Sequence, residues 1–262
     1  MTAAHVCWSY DELRAFDEFA RGFLRAGLAA GERVWFVAGR RSGATGEWLR
    51  DVATTAPRAD SARVVSCADA YPGGAAIDPA TQVETYVAAT AEALAAGFTG
   101  LRVVADVTDL VRTGEQRAAF ARYEYVIGRH LRTAPMRAVC AFDRLELGDR
   151  VVAELAVLHE ASHPFSLRSG STPDAAILDG NLDLGAEELF ATALGHTDLE
   201  PVDGVVTVDA AGLTFVDHRS LLALQRYAGS RGITVVVRTR LAIAARVAEL
   251  LELPRVRVEV TG

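Results

Sequence analysis

Four side chains of metal-ligating type, His5, Cys7, Cys140 and His159, are the residues of this chain best suited to coordination chemistry. His5 and Cys7 alternate on a stretch that reads as extended, which turns both to one side. Cys140 falls near the end of an apolar strand and His159 at the end of a helix. Brought together, they would hold a transition metal, a haem or a redox centre, although no C-x-x-C spacing brings them together in the sequence. The competing roles are ordinary ones, a buried cysteine as packing and a helix-terminal histidine as a complement to the dipole. An apolar ligand pocket lined by Trp8, Tyr10, Trp35, Tyr123 and Phe142 is a second sensory reading, set against simple core packing.

Phosphate chemistry is the next possibility. Gly39-Arg-Arg-Ser-Gly-Ala-Thr-Gly46 follows a strand and precedes a helix, where a phosphate-binding loop would lie. The G-x-x-x-x-G-K-[ST] pattern fails in either frame: Gly39 as first glycine puts Ala44 at the second, and Gly46 as second puts Arg41 first and Glu47 in place of the lysine. A carboxylate there repels phosphate. Without that cation, Asp106 at the end of Val103-Val-Ala-Asp106 loses its meaning as a magnesium ligand and reads as a local turn acceptor. Arg40 and Arg41 remain loop cations able to hold an anion. No G-x-S-x-G nucleophile elbow is present.

The third constellation is Asp217-His218-Arg219-Ser220. Val205, Val206 and Val208 form a β-branched strand, Ala210-Ala211-Gly212 a turn, and Leu213 to Val216 a second apolar patch. Asp217 then occupies a helix N-cap position, and Leu221, Leu222, Leu224 and Tyr227 recur at helical spacing. The tetrapeptide is therefore expected exposed on a first helical turn, beside free backbone N–H groups that can meet a phosphate or a partner.

The elements that must position these residues alternate. Ser9–Glu12 fits a capping box ahead of a helix through Leu13, Phe16, Phe19, Phe23 and Leu24. Strands are expected at Val34–Ala38, Arg63–Cys67, Leu101–Asp106 and Ala138–Phe142. Helices are expected between them, with Phe120, Tyr123, Ile127 and Leu131 on one side of Glu115–Leu131 and a last helix over Asp149–Leu158. Four strands alternating with helices, Val34–Ala38 among them wholly apolar, predict a parallel sheet buried on both faces. His163-Pro164 stops the pattern, and a Ser/Gly/Thr-rich stretch marks a boundary, giving domains 1–162 and 163–262. The second half reads as a mixed sheet with helices: strands at Phe165–Arg168, Ala176–Leu178, Val205, Thr234–Val237 and Val256–Val260, and a turn at Asp179-Gly-Asn-Leu-Asp183. The fold class is α/β in both halves.

Two resemblances follow from these stretches. Asp179–Asp183 and the strand–Asp217–helix stretch resemble the signature of STAS domains, the sulfate-transporter and anti-sigma-factor-antagonist family. That resemblance implies a partner of the anti-sigma, serine-kinase type, docking over Asp217, Arg219, Asp179, Asn181 and Asp183. His218 stands at the family's phospho-acceptor position in place of Ser or Thr, and Ser220 is a displaced alternative. In the first half, His5–Tyr10, Gly31–Val37, Gly100–Asp106 and Cys140–Asp143 resemble the MEDS domain (methanogen/methylotroph, DcmR sensory) over about residues 4–160. That resemblance implies a RecA-like core lacking a P-loop and a role in sensing a small molecule, with the cofactor unknown.

Composition narrows the class further. The 262 residues suit two domains, and the net charge of −7 without a basic cluster speaks against a nucleic-acid surface. No apolar run approaches the ~20 residues that span a bilayer, and the N-terminus has no signal-peptide pattern. Three scattered cysteines suit reduced thiols in the cytoplasm. The expectation is a non-enzymatic cytoplasmic regulator with no membrane or nucleic-acid partner, and with homo-oligomerisation possible. A nucleotide- or metal-binding sensor or enzyme built on the first half is the alternative.

Overall fold

The computed structural model describes residues 4–40, 43–56, 58, 60–71, 76–160, 164–197 and 199–262. Its contacts divide the chain into two units, Met1–Val152 and Ala153–Gly262, so the division falls ahead of the 162/163 boundary read from composition. Arg41 and Ser42 of the glycine-rich loop, and His163, lie outside the described residues. No helix among the described residues is long and apolar enough to cross a membrane.

The first unit alternates β1 (His5–Tyr10), α1 (Leu13–Ala29), β2 (Arg33–Ala38), α2 (Gly43–Thr55), β3 (Ala62–Ser66), α3 (Cys67–Ala70), α4 (Pro79–Ala95), β4 (Leu101–Asp106), α5 (Gly114–Thr133), β5 (Met136–Asp143) and α6 (Arg144–Leu147). Helix α7 (Asp149–Ala156) runs across the division. The sheet is five-stranded and all parallel, in the order β1-β5-β4-β2-β3. The central strands β4 and β5 are almost wholly buried, as parallel strands covered on both faces must be. One face carries Phe16, Ala20 and Leu24 of α1 against Val34, Phe36, Val104, Val139 and Ala141. The other packs on α4 and α5, where Phe120 meets Phe142 and Tyr86 meets Tyr123.

Two elements of this unit differ from the expectation. His5–Tyr10 is a full fifth strand, at the sheet edge. The Ser9–Glu12 capping box does not form, because Ser9 and Tyr10 are spent in that strand; Glu12 is the N-cap and makes no side-chain cap bond. Helix α5 carries the box instead, Thr113 accepting from Gln116 N–H and the Gln116 side chain from Thr113 N–H.

The second unit contains β6 (Phe165–Ser169), β7 (Ala175–Leu182), α8 (Glu187–Gly195), β8 (Val205–Ala210), β9 (Leu213–Val216), α9 (His218–Arg231), β10 (Thr234–Thr239), α10 (Ala242–Leu250) and β11 (Val256–Val260). Its six-stranded mixed sheet runs β11-β10-β8-β7-β6, with β9 paired to β7. Asp179 to Leu182, expected as a turn, belongs to β7. The β7–β9 register shifts between Gly180 and Asn181, where Thr214 of β9 is passed over and Gly180 stands at φ +98; β7 pairs with β6 along one edge and with β8 and then β9 along the other. A Cβ on Gly180 would lie 2.6 Å from the Pro164 carbonyl oxygen, so the position needs glycine twice over.

Candidate functional site

Parallel pairing places Cys7 directly opposite Cys140 and His5 opposite Ala138, so His5, Cys7 and Cys140 share one face of the sheet. Helix α5 covers that face and brings in Glu124, which lies one helical turn beyond Phe120 in its buried stripe. His5 Nε2 stands 2.9 Å from Glu124 Oε2. The Cys140 thiol donates to Glu124 Oε1 at 3.3 Å and lies 3.7 Å from His5 Nε2. All three residues are buried: His5 is 5% exposed, Cys140 4% and Glu124 0%.

A carboxylate in a core is costly unless compensated. Here the imidazole and the thiol face its two oxygens. Burial, and then the Glu124 charge, push the Cys140 thiol well above its ordinary value, and the same two causes raise Cys7 to about 12. Cys140 is therefore held as a thiol. Beside it, Tyr71, Tyr86 and Tyr123 pack ring against ring, with the Tyr86 hydroxyl donating to Tyr71 at 3.2 Å. Burial raises all three phenols above their usual range. These groups, with His5, Cys140 and aliphatic neighbours, line a cavity of about 10 Å³. A space of that size admits one atom-sized guest, such as a water or an ion.

The remaining candidates of the first unit are divided by strand alternation. Trp8 and Tyr10 point to the α1 face, stacked on Phe19 and Phe16 at 3.9 and 4.7 Å. Trp35 lies on the opposite face against Tyr86, where Tyr123 and Phe142 also lie. The five aromatics therefore do not line one pocket, and Trp8 and Tyr10 do not belong with His5 and Cys140: odd and even positions of a strand face opposite ways. Arg40 is paired with Asp109 at 3.0 Å, and Thr45 of α2 donates to Asp17 at 2.5 Å. Asp106 accepts from the hydroxyls of Thr108 at 2.9 Å and Tyr10 at 3.3 Å, the local turn role weighed for it. His159 is buried in the second unit, with Nδ1 3.0 Å from the Leu155 carbonyl oxygen.

In the second unit Asp217 is the N-cap of α9: its backbone is extended and its Oδ1 accepts the Ser220 N–H at 2.8 Å. The tetrapeptide is only half exposed. His218 and Arg219 face solvent, but Asp217 is 8% exposed and Ser220 0%. The helix turns residues 217 and 220 inward together, one turn apart, which an exposed first turn did not allow for. Arg219 lies 3.8 Å from Glu187 of α8. The Asp179 stretch reaches the same end of the unit, since the Asp217 N–H donates to the Leu182 carbonyl and the Thr214 hydroxyl to Gly180 O and Asn181 Oδ1. Asp179 itself is paired with Arg168, and Asp183 accepts from Gly185 N–H. Phe215 and Leu184 stand 49% and 66% exposed in the same two stretches.

Sequence reasoning missed Glu124, Tyr71 and Tyr86. Glu124 had left a trace, an acid inside the Phe120–Tyr123–Ile127–Leu131 stripe where only a paired carboxylate is tolerated.

The family described as MEDS, the MEthanogen/methylotroph, DcmR Sensory domain, matches residues 4–160 of the chain. No curated protein matches it.

Proposed function

Because the chain belongs to the MEDS family of sensory domains, we propose that it is a non-enzymatic signalling regulator whose first unit senses through the His5–Glu124–Cys140 centre. The observation that carries this is the buried carboxylate held between an imidazole and a thiol, two groups that also line a small cavity. Such an arrangement is expensive for a core that needs only packing, and it offers three different donor atoms to a guest. In the second unit we place a STAS-like output module, by resemblance, which would take an anti-sigma factor of the serine-kinase type. The surface that would receive it combines His218, Arg219 and Asn181 with the exposed Phe215 and Leu184. An apolar anchor within a polar rim suits a protein partner. Regulation would then be competition for that partner, with transcription as the outcome.

The test is capture of a purified serine-kinase-type anti-sigma factor by the full chain. Expected is binding by the wild type, loss with Phe215→Ser and Arg219→Glu, and a changed affinity with Glu124→Gln in a protein whose second unit stays folded. Capture by every variant alike, or by none, overturns the docking half of this reading. A nucleotide-handling enzyme on the first unit is the competing reading. Isothermal titration with ATP and magnesium decides it, since binding with turnover would reverse the order.

A further inference from the structure

We propose that His5 Nε2, the Glu124 carboxylate and Cys140 Sγ are the ligands of a divalent transition-metal ion of the zinc and cobalt class, an inference that rests on the sensory reading of this same centre. Metal–nitrogen and metal–oxygen bonds of about 2.0–2.2 Å and a metal–sulfur bond of about 2.3 Å put tetrahedral ligand atoms roughly 3.3–3.7 Å apart. Cys140 Sγ and His5 Nε2 already stand 3.7 Å apart, while the Glu124 carboxylate is closer, Oε2 at 2.9 Å from His5 Nε2 and Oε1 at 3.3 Å from Cys140 Sγ. The carboxylate therefore has to draw back by roughly half an ångström to admit an ion.

Size and charge agree. A cavity of about 10 Å³, lined by His5 and Cys140 though not by Glu124, leaves atom-sized room beside two of the three ligands. One carboxylate and one thiolate balance a divalent charge, which makes the loaded centre neutral where an unbalanced ion would be costly. Donor chemistry then selects the ion. A thiolate disfavours magnesium and calcium, while imidazole and carboxylate beside a single sulfur suit a borderline ion rather than copper(I). On loading, the Cys140 S–H bond breaks, the Sγ–metal bond forms and the proton leaves to solvent. The proton on His5 Nε2 that faces Glu124 must leave as well, to Nδ1 or to solvent, before the Nε2 lone pair forms the nitrogen–metal bond, and no electron changes hands. The alternative is a plain hydrogen-bonded core network of the same three residues.

Cobalt(II) added to the full chain, previously stripped with chelator, separates the two. The expected result is a near-ultraviolet thiolate-to-cobalt charge-transfer band that saturates at one equivalent and is displaced by zinc. Cys140→Ser should abolish the band, Glu124→Gln and His5→Gln should weaken binding at least about tenfold, and Cys7→Ser and Cys67→Ser should leave it unchanged. Circular dichroism shows whether each variant is folded, and Glu124→Gln, which keeps the side chain's shape, carries the test if Cys140→Ser is not. No band in the folded wild type, or a band indifferent to Cys140, Glu124 and His5, overturns the proposal. A small organic compound that raises the melting temperature of the metal-free wild type but not of Cys140→Ser would sink the metal and leave the sensory centre standing.

Discussion

Cys7 and Cys140 are direct partners in the β1–β5 register, yet the two thiols live differently. Cys140 is 4% exposed and donates to Glu124 at 3.3 Å, whereas Cys7 lies on the edge strand and is only partly buried. Two residues from His5 and facing the same way, Cys7 feels the Glu124 charge as Cys140 does, and what separates the two thiols is the hydrogen bond that Cys140 makes to Glu124.

Alkylation should separate the thiols. Burial first, and nearby carboxylates second, raise Cys7 and Cys67 to about 12 and push Cys140, the most deeply buried of the three, well above its ordinary value. Raised values favour the neutral thiol, so the stability they contribute is fully present below about pH 8.5, the unfolded value, and is lost as pH climbs through the folded ones. At pH 8.5 the native chain should react with iodoacetamide at least about 100-fold more slowly than the urea-unfolded chain, Cys140 last of all. Peptide mapping reads the order. Fast labelling of Cys140 in the native chain would remove the buried thiol from the centre.

His5→Ala should destabilise the first unit by about 3 kcal/mol, because it strands a fully buried carboxylate without its imidazole. Glu124→Gln should cost less, since the amide keeps a carbonyl for the thiol and leaves no charge behind. Urea unfolding followed by the tyrosine signal of the first unit measures both. Equal losses would mean that shape, not charge, sets the penalty.

The centre is only half legible in the sequence. His5, Cys7 and Cys140 announce themselves by type, and strand alternation alone puts His5 and Cys7 on one face. What joins them to Glu124 is the pairing of the first strand with the fifth, a contact across some 130 residues that local pattern cannot contain. The parallel sheet is readable because β4 and β5 are apolar on both faces. The β7 stretch misleads for the opposite reason: Gly and Asn look like a turn, and here they lie inside a strand that pairs with β6 on one edge and with β8 and then β9 on the other.

Asp217→Ala should lower the stability of the second unit by about 1 kcal/mol, the usual cost of a lost N-cap, and Asp217→Asn by only a few tenths. Asp217→Lys should be worse than either, because it removes the cap and puts a cation at a buried helix N-terminus. Thermal melts of the three variants test the order. The consequence for partner studies is direct: weakened capture by Asp217→Lys reports folding as much as docking, so Arg219 is the cleaner probe of that face.

Ser220 should resist phosphorylation in the folded chain. Its side chain is fully buried, its N–H is held by Asp217, and its hydroxyl meets no hydrogen-bonding partner among the described residues. A kinase needs that oxygen in the open, and a phosphoryl group would bring about −1.5 to −2 charges into a core position next to the Asp217 carboxylate. His218 is exposed but offers an imidazole where a serine kinase requires a hydroxyl. Incubation with a serine-kinase-type anti-sigma factor and ATP should therefore leave the intact mass unchanged. Ser220→Ala should melt at or above the wild-type temperature, since a buried hydroxyl without a partner costs about 1–3 kcal/mol, while Ser220→Asp should unfold the unit. Phosphate mapped to Ser220 would show that the first turn of α9 opens, and would return phosphorylation to the control of this face.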